Sequence, residues 1–317
     1  MSQYAFIVSA DMRYLPETAA LLNSLDWVGH KEDVYLLHYR LPDFFIQQLN
    51  KLDYKVIAHE ASSEDVQKFG CGDIMQRKRY YYAAEWGERY DAICLLDADM
   101  FFNRTVTQYL AIAAKTGFIC GASLEQKRIY GGENPHHFAR GKPLLEKEVW
   151  AAADVCCAPL FLDAKKYKDY LRECWLVYQD GHPDNHFKGP DMDIQNILTI
   201  TQNLTDQIVI LPNLSWVGTN EKMLKPYTFV RTLVDDRLWC DNGEPIYIVH
   251  GQYYKRKWRQ TQVDNRHRCA ESYLGCSERS DGMAEQAMNT IYNRFKKMLD
   301  WKIRVPKVAY SEDGESE

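Results

Sequence analysis

The chain has 317 residues, 46% of them apolar and 26% charged, a balance that supports a packed core and excludes a largely disordered protein. Its 39 Lys and Arg face 44 Asp and Glu, for a net charge of −5. A surface built throughout for nucleic acid is therefore excluded, and nucleic acid is not an expected partner.

Tyr4–Val8 (YAFIV) predicts a short buried strand that opens into a loop at Ser9-Ala10-Asp11. Pro16 suits the first turn of a helix, Glu17 to Leu25, with Leu21, Leu22 and Leu25 on one face. Asp33–His38 predicts a second strand, Phe44–Leu52 a helix and Tyr54–Ala58 a third strand. This βαβαβ opening implies a parallel sheet covered by helices. Ile74–Trp86 reads as a helix rich in Arg and Tyr. Asp91–Asp97 reads as a strand apolar enough for the sheet centre.

Beyond it come a helix at Val106–Thr116, a strand at Phe118–Ala122 and a long polar loop over 123–150. A strand at Val155–Leu162, a helix at Ala164–Gln179 and a loop at Asp180–Pro190 follow. The pattern continues with a helix at Asp191–Asn203 and strands at Gln207–Leu211 and Ile246–His250. A basic segment runs to Arg268, then a helix at Gly282–Leu299 and an acidic tail at Ser311–Glu317. The nine Cys show no metal-ligand spacing and read as free thiols of a reducing compartment. The longest near-apolar run, Val155–Leu162, is far shorter than a membrane span, and no leader pattern precedes Tyr4. A soluble, cytoplasmic protein is the expectation.

The strongest chemical signal is Leu95-Leu96-Asp97-Ala98-Asp99-Met100, a buried strand that ends in two carboxylates one residue apart. Ligands of open α/β sheets bind outside the carboxyl ends of the strands. Strand side chains alternate, so Asp97 and Asp99 point the same way and can share one hard cation. The plain alternative is a strand that merely ends in polar turn residues.

Asp91–Phe102 (DAICLLDADMFF) resembles the Asp-x-Asp strand of the GT-A glycosyltransferases, in the form found in glycosyltransferase family 8. Further stretches follow in that family's order. Tyr4–Leu25 resembles its opening strand, nucleotide loop and helix. Val155–Tyr167 resembles a later strand and helix start, and Gly189–Thr199 (GPDMDIQNILT) its sugar-site helix. His250 opens a segment that ends at Trp258, with the spacing of its C-terminal His-to-Trp motif.

The resemblance implies an α/β GT-A domain over 1–260, with a C-terminal helical extension and acidic tail over 261–317. It implies that Ala10, Asp11 and Tyr14 meet the base and ribose, and that Arg77 or Arg79 meets the donor. Asp97, Asp99 and His250 would hold Mn²⁺ or Mg²⁺, with Ala98 in the same donor-binding turn. Lys255, Arg256 and Lys257 supply cations for a diphosphate; Arg256 holds the place of the family's Lys. Asp191 would bind sugar hydroxyls, although a capping role at a helix start is the plain reading. Met192 stands where the family has Gln, and Gln195, one helical turn after Asp191, is the candidate substitute. Cys157 stands near the family's sugar-binding Asn.

The expected activity is transfer of a hexose from a nucleotide diphosphate sugar, UDP-linked, to an acceptor hydroxyl, with retention. No Asp or Glu is clearly placed as an acceptor base, although Asp154 and Asp191 remain alternatives for an inverting route. A nucleotidyltransferase would carry a Gly-rich loop after its first strand, and Ser9–Tyr14 has no Gly. A non-catalytic nucleotide- or carbohydrate-binding protein stays open because of Met192 and Cys157.

Overall fold

The computed structural model describes residues 3–121, 138–139, 142–143, 158–181, 194–195, 198–199, 201–211, 215–217, 230–234, 237–240, 245–250 and 293–306. The chain opens β1 (Tyr4–Asp11), α1 (Leu15–Val28), β2 (Asp33–Tyr39), α2 (Asp43–Gln48), β3 (Val56–Glu60). Pro16 lies in the first turn of α1, and Gly29, at φ 88°, closes its last turn in the left-handed conformation that glycine adopts without strain. Next come α3 (Ser63–Phe69), the single turn α4 (Cys71–Asp73), a π turn at Ile74–Lys78 and α5 (Arg79–Gly87). They lead to β4 (Ala92–Asp97), β5 (Met100–Phe102), α6 (Thr107–Thr116) and β6 (Phe118–Gly121).

The remaining described elements are two-residue strands β7 (Phe138–Ala139) and β8 (Lys142–Pro143), then β9 (Leu160–Leu162) and α7 (Lys168–Gly181). They are followed by β10 (Ile208–Leu211), β11 (Ser215–Val217), β12 (Val230–Val234), β13 (Arg237–Cys240) and β14 (Ile248–His250). Residues 293–299 form a last helix.

The main sheet has seven strands in the order β10-β6-β9-β4-β1-β2-β3. β1 runs parallel to both β2 and β4, β2 to β3, and β6 to β10. β9 alone is reversed, pairing antiparallel with β4 and β6. The sheet is therefore mostly, rather than wholly, parallel. Alternate residues of β1 feed opposite cores. Phe6 and Val8 pack with Leu21, Leu22 and Leu25 of α1, and Ala5 and Ile7 with Tyr80, Ala83 and Ala84 of α5. Each fully buried Leu contributes about 1.5–3 kcal/mol.

A small second sheet, β11-β14-β5, crosses one end of this body. β14 runs antiparallel to β5 with His250 opposite Met100. Residues 293–306 complete the α1 core. Phe295, Met298, Leu299, Ile303 and Val305 are buried there. Buried Asn23 donates to the carbonyls of Met298 at 2.6 Å and Ile303 at 2.8 Å, and accepts from Ile303 N–H at 2.9 Å.

Local departures from expectation have local causes. β3 starts two residues late because Tyr54 leaves the strand, buries its ring and donates its hydroxyl to Leu22 O at 2.6 Å. The helix expected at Phe44–Leu52 ends in a 3₁₀ turn at Leu49–Lys51. α7 starts at Lys168 because Asp163 Oδ1 first accepts from the backbone of Lys165 and Lys166 in a turn. Of the expected helix Asp191–Asn203, residues 194–195, 198–199 and 201 are helical, and 191–193 lie outside the described residues.

Candidate functional site

The site grows from the end of β4. Its apolar run is buried at the sheet centre, and Asp97 is its last residue, in register with Ser9 of β1. Ala98 and Asp99 form the turn, and β5 carries the chain away. Because β14 pairs with β5, His250 arrives beside that turn. Potential ligand atoms of Asp97, Asp99 and His250 all lie within 4.8 Å of one another. His250 Nε2 stands 3.2 Å from Asp97 Oδ2 and 3.3 Å from Asp99 Oδ1.

A fourth charge completes the group. Arg79 is 2% exposed. Its Nη1 donates to Asp97 Oδ1 at 2.5 Å and to Leu96 O at 3.2 Å. Arg77, two residues earlier, is directed elsewhere: it pairs with Asp73 and lays its guanidinium 4.4 Å from the centre of the Tyr178 ring. The π turn at Ile74–Lys78 separates the two roles. It takes more residues per turn than an α-helix and so shifts the phase at which Arg79 emerges.

The electrostatics follow from this arrangement. Burial pushes the Asp97 carboxyl up, but the Arg79 charge and the His250 contact outweigh it and hold the group well below the usual carboxylate range. Burial opposes charge on His250, but the Asp99 charge and the bonds to both carboxylates raise it well above the ordinary 6.5. Two carboxylates thus balance one guanidinium and one imidazolium. His250 Nε2 faces both carboxylates, on the side where a shared cation would sit. Two oxygen donors and one imidazole nitrogen at this spacing suit Mn²⁺, and Mg²⁺ through the oxygens.

The loop after β1, expected to meet a nucleotide, is internally bonded. Asp11 is 5% exposed and caps the 3₁₀ turn Met12–Tyr14. Its Oδ1 accepts from Arg13 N–H at 2.8 Å and its Oδ2 from Arg13 Nη2 at 2.6 Å and Cys71 Sγ at 3.4 Å. Burial alone would raise the Asp11 carboxyl; the Arg13 bonds bring it below its ordinary value. The same environment, burial first and the Asp11 charge second, pushes the Cys71 thiol up to about 11. A contact from Asp11 to a base or ribose thus requires Arg13 to swing away. Ala10 is buried against α1, and Tyr14 stands at the cap position before it.

Gln195 is fully buried, and its Oε1 accepts from Tyr80 at 2.9 Å. Its carbonyl accepts from Tyr170 and from Thr199. The side chain is thus engaged by Tyr80 inside the core, while the backbone carbonyl serves Tyr170 and Thr199. Asp191, Met192, Cys157, Lys255, Arg256 and Lys257 lie outside the described residues. Sequence reasoning missed Asn103, whose side chain ties the end of β5 to the approach to β14. An Asn directly after the apolar run Met100–Phe102 was the sole hint in the sequence; its burial and bonds come from the fold.

No protein-family model matches the chain, and no curated protein matches it. Among solved structures it is similar to the WbbM bifunctional glycosyltransferase, with a TM-score of 0.59 and 13% identity over 90% of this chain. The chain spans 52% of the WbbM chain, about half its length. It is also similar to the galactosyltransferase LgtC in complex with donor and acceptor sugar analogs. There the TM-score is 0.52 and the identity 12%, over 88% of this chain and 98% of that one. The fold is that of the GT-A glycosyltransferases: a central, mostly parallel sheet flanked by helices.

Proposed function

We propose that the chain is a metal-dependent glycosyltransferase, similar to family 8, that moves a hexose from a UDP-sugar to an acceptor hydroxyl with retention. The observation that carries this reading is the convergence of Asp97, Asp99 and His250 beside Arg79 at the carboxyl end of the central strand of a GT-A sheet. The four cysteines described, Cys71, Cys94, Cys120 and Cys174, are free, which agrees with work in a reducing cytoplasm.

When bound, Mn²⁺ or Mg²⁺ supplies Lewis acidity to the departing diphosphate. Asp97, Asp99 and His250 would hold it. With His250 neutral, Arg79 is left as a buried positive charge beside the ion site, poised for the negative charge of the leaving group. Ala10, Asp11, Ala98 and Tyr14 would line the nucleoside side once Arg13 moves. Lys255, Arg256 and Lys257 would bind the diphosphate, and Asp191 the sugar. Gln195 would act by holding Tyr80 rather than by touching the ring. A side-chain nucleophile is not available at Met192, so retention would proceed on the front face, with the leaving phosphate assisting removal of the acceptor proton.

The test is a panel of nucleotide sugars followed by anomeric-proton NMR, with Mn²⁺ and with chelator. The expected result is slow donor hydrolysis that needs Mn²⁺, with the released hexose first seen as the α anomer. A β anomer formed first would overturn retention. Absence of turnover with every donor would overturn the enzyme reading.

A further inference from the structure

We infer that Asn103 and Arg294 are positioning residues for His250: they tie the C-terminal helix to the strand that brings the third ligand to the site. The inference rests on the reading of Asp97, Asp99 and His250 as a metal site.

Asp97 and Asp99 share one turn and are placed together by it. His250 comes from far along the chain, on a strand of only three residues. That strand is paired on both sides, with β11 and β5, but over three residues only, so its ladder bonds are few. Register matters here because a slip of one residue turns every side chain to the opposite face. A slipped β14 would point His250 away from both carboxylates.

Asn103 supplies what the strand lacks. It directly follows β5 and is 0% exposed. Its Nδ2 donates to Ile246 O at 2.7 Å and to Leu238 O at 3.3 Å. Its Oδ1 accepts from Leu238 N–H at 3.2 Å and from Arg294 Nη1 at 2.7 Å. Every hydrogen-bonding position of the amide is thereby used. The backbone N–H groups of Asn103 and Arg104 both donate to Tyr247 O, at 2.8 and 3.2 Å. Residues 246 and 247, immediately before β14, are therefore pinned to the end of β5. β5 begins one residue after Asp99, so the same strand is anchored at one end to the ligand turn and at the other to Asn103.

Arg294 carries the connection outward. It lies in the helix at 293–299, is 6% exposed, and holds its guanidinium 4.8 Å from the centre of the Trp27 ring of α1. Its bond to Asn103 Oδ1 joins the Leu238 N–H in fixing which way the amide faces. With the amide flipped, its oxygen would meet the Ile246 and Leu238 carbonyls. The C-terminal helix thus contributes one of the four bonds that hold the Asn103 amide, and the amide holds the approach to β14.

The experiment measures Mn²⁺ binding rather than turnover, on the full chain. Affinity comes from titration, and coordination from the nitrogen coupling of an imidazole to bound Mn²⁺ in pulsed electron paramagnetic resonance. Wild type should show that coupling. Arg294→Met and Asn103→Ala should bind Mn²⁺ about tenfold or more weakly, with the coupling reduced or lost. A general loss of stability would not remove one ligand's signal from a folded protein. Should Asn103→Ala fail to fold, Arg294→Met decides alone. Wild-type affinity and coupling in folded Arg294→Met would overturn the inference and leave the metal reading intact. No imidazole coupling in wild type, or undiminished Mn²⁺ affinity in Asp99→Asn, would overturn the metal reading and the inference with it.

Discussion

Truncating Asp97 should cost stability even with no metal present, because its carboxylate is the counter-charge of a buried arginine. Arg79 is 2% exposed, and its Nη1 reaches Asp97 Oδ1 at 2.5 Å. Breaking a buried ion pair by removing one partner costs about 3–5 kcal/mol, since the survivor keeps its charge without compensation. Two features lower the figure here. The Asp97 side chain is 25% exposed, so water can enter its place. Leu96 O also still accepts from Nη1, at 3.2 Å. We therefore expect a loss of about 2–3 kcal/mol for Asp97→Ala. Asp97→Asn keeps an acceptor and should lose about 1 kcal/mol. Asp99→Ala should lose less than Asp97→Ala, because its ring partner His250 can shed its proton while Arg79 cannot. Urea denaturation in chelator measures all three, with Asp97→Ala/Arg79→Met closing the cycle. Removal of both charges should recover part of the loss. Equal effects for Asp97→Ala and Asp99→Ala, or a double variant no more stable than the single, would refute the reasoning.

Two further predictions concern protons. Asp99 and Asp97 raise His250 well above its ordinary 6.5, so on the proposed metal reading Mn²⁺ would displace its proton to reach Nε2. Calorimetric titration near neutral pH, in buffers of differing ionisation enthalpy, should show release of about one proton; no buffer dependence would contradict it. Away from the site, burial raises the Glu32 carboxyl, but bonds with His30 at 2.8 Å and Thr107 at 2.6 Å hold it down to about 2. A depressed carboxyl stabilises the fold above its unfolded value, 4.5, and that stability is lost as pH falls toward 2. Between about pH 5 and pH 3 the wild type should lose about 2 kcal/mol relative to Glu32→Gln. Parallel pH profiles of urea stability would show that Glu32 carries no such linkage.

The sequence was legible where one residue type decides the outcome. The run Ala92–Leu96 can be buried on both faces only at a sheet centre, and Asp97 ends it because a carboxylate cannot follow it inward. The opening βαβαβ was readable for the same reason. β5, with three residues, is too short for any period to register. The reversal of β9 is set by its neighbours β4 and β6, far away in the chain. α3 was not read from the sequence, although Ser62, three residues before Asp65, was a signal for it: Ser62 Oγ accepts from Asp65 N–H at 3.1 Å. The choice between Arg77 and Arg79 was out of reach because a 3.6-residue period assumes an unbroken α-helix, and the π turn breaks it. His250 carried a readable pattern, but its distance from Asp99 depends on the pairing of β14 with β5. Gln195 illustrates the opposite case. Spacing placed it one turn from Asp191, and the core then claimed its amide through Tyr80.

The pairing of β5 with β14 joins Met100 to His250, and this imposes an order of events on the ribosome. Asp97 and Asp99, the first two proposed ligands, are synthesised with the opening βαβ body, which can begin to pack as it emerges. The third follows about 150 residues later, roughly 8–30 s at ordinary bacterial or eukaryotic elongation rates. During that interval the nascent chain exposes Asp97 and Asp99 with Arg79 as their nearby counter-charge. The cluster of Asp97, Asp99 and His250 can close only after β14 has been made. Arg294 and the helix at 293–299 follow later still. A ribosome-stalled chain ending before residue 250 should therefore hold the sheet's first strands yet lack His250, and, on the proposed metal reading, should bind Mn²⁺ more weakly than a chain that includes β14.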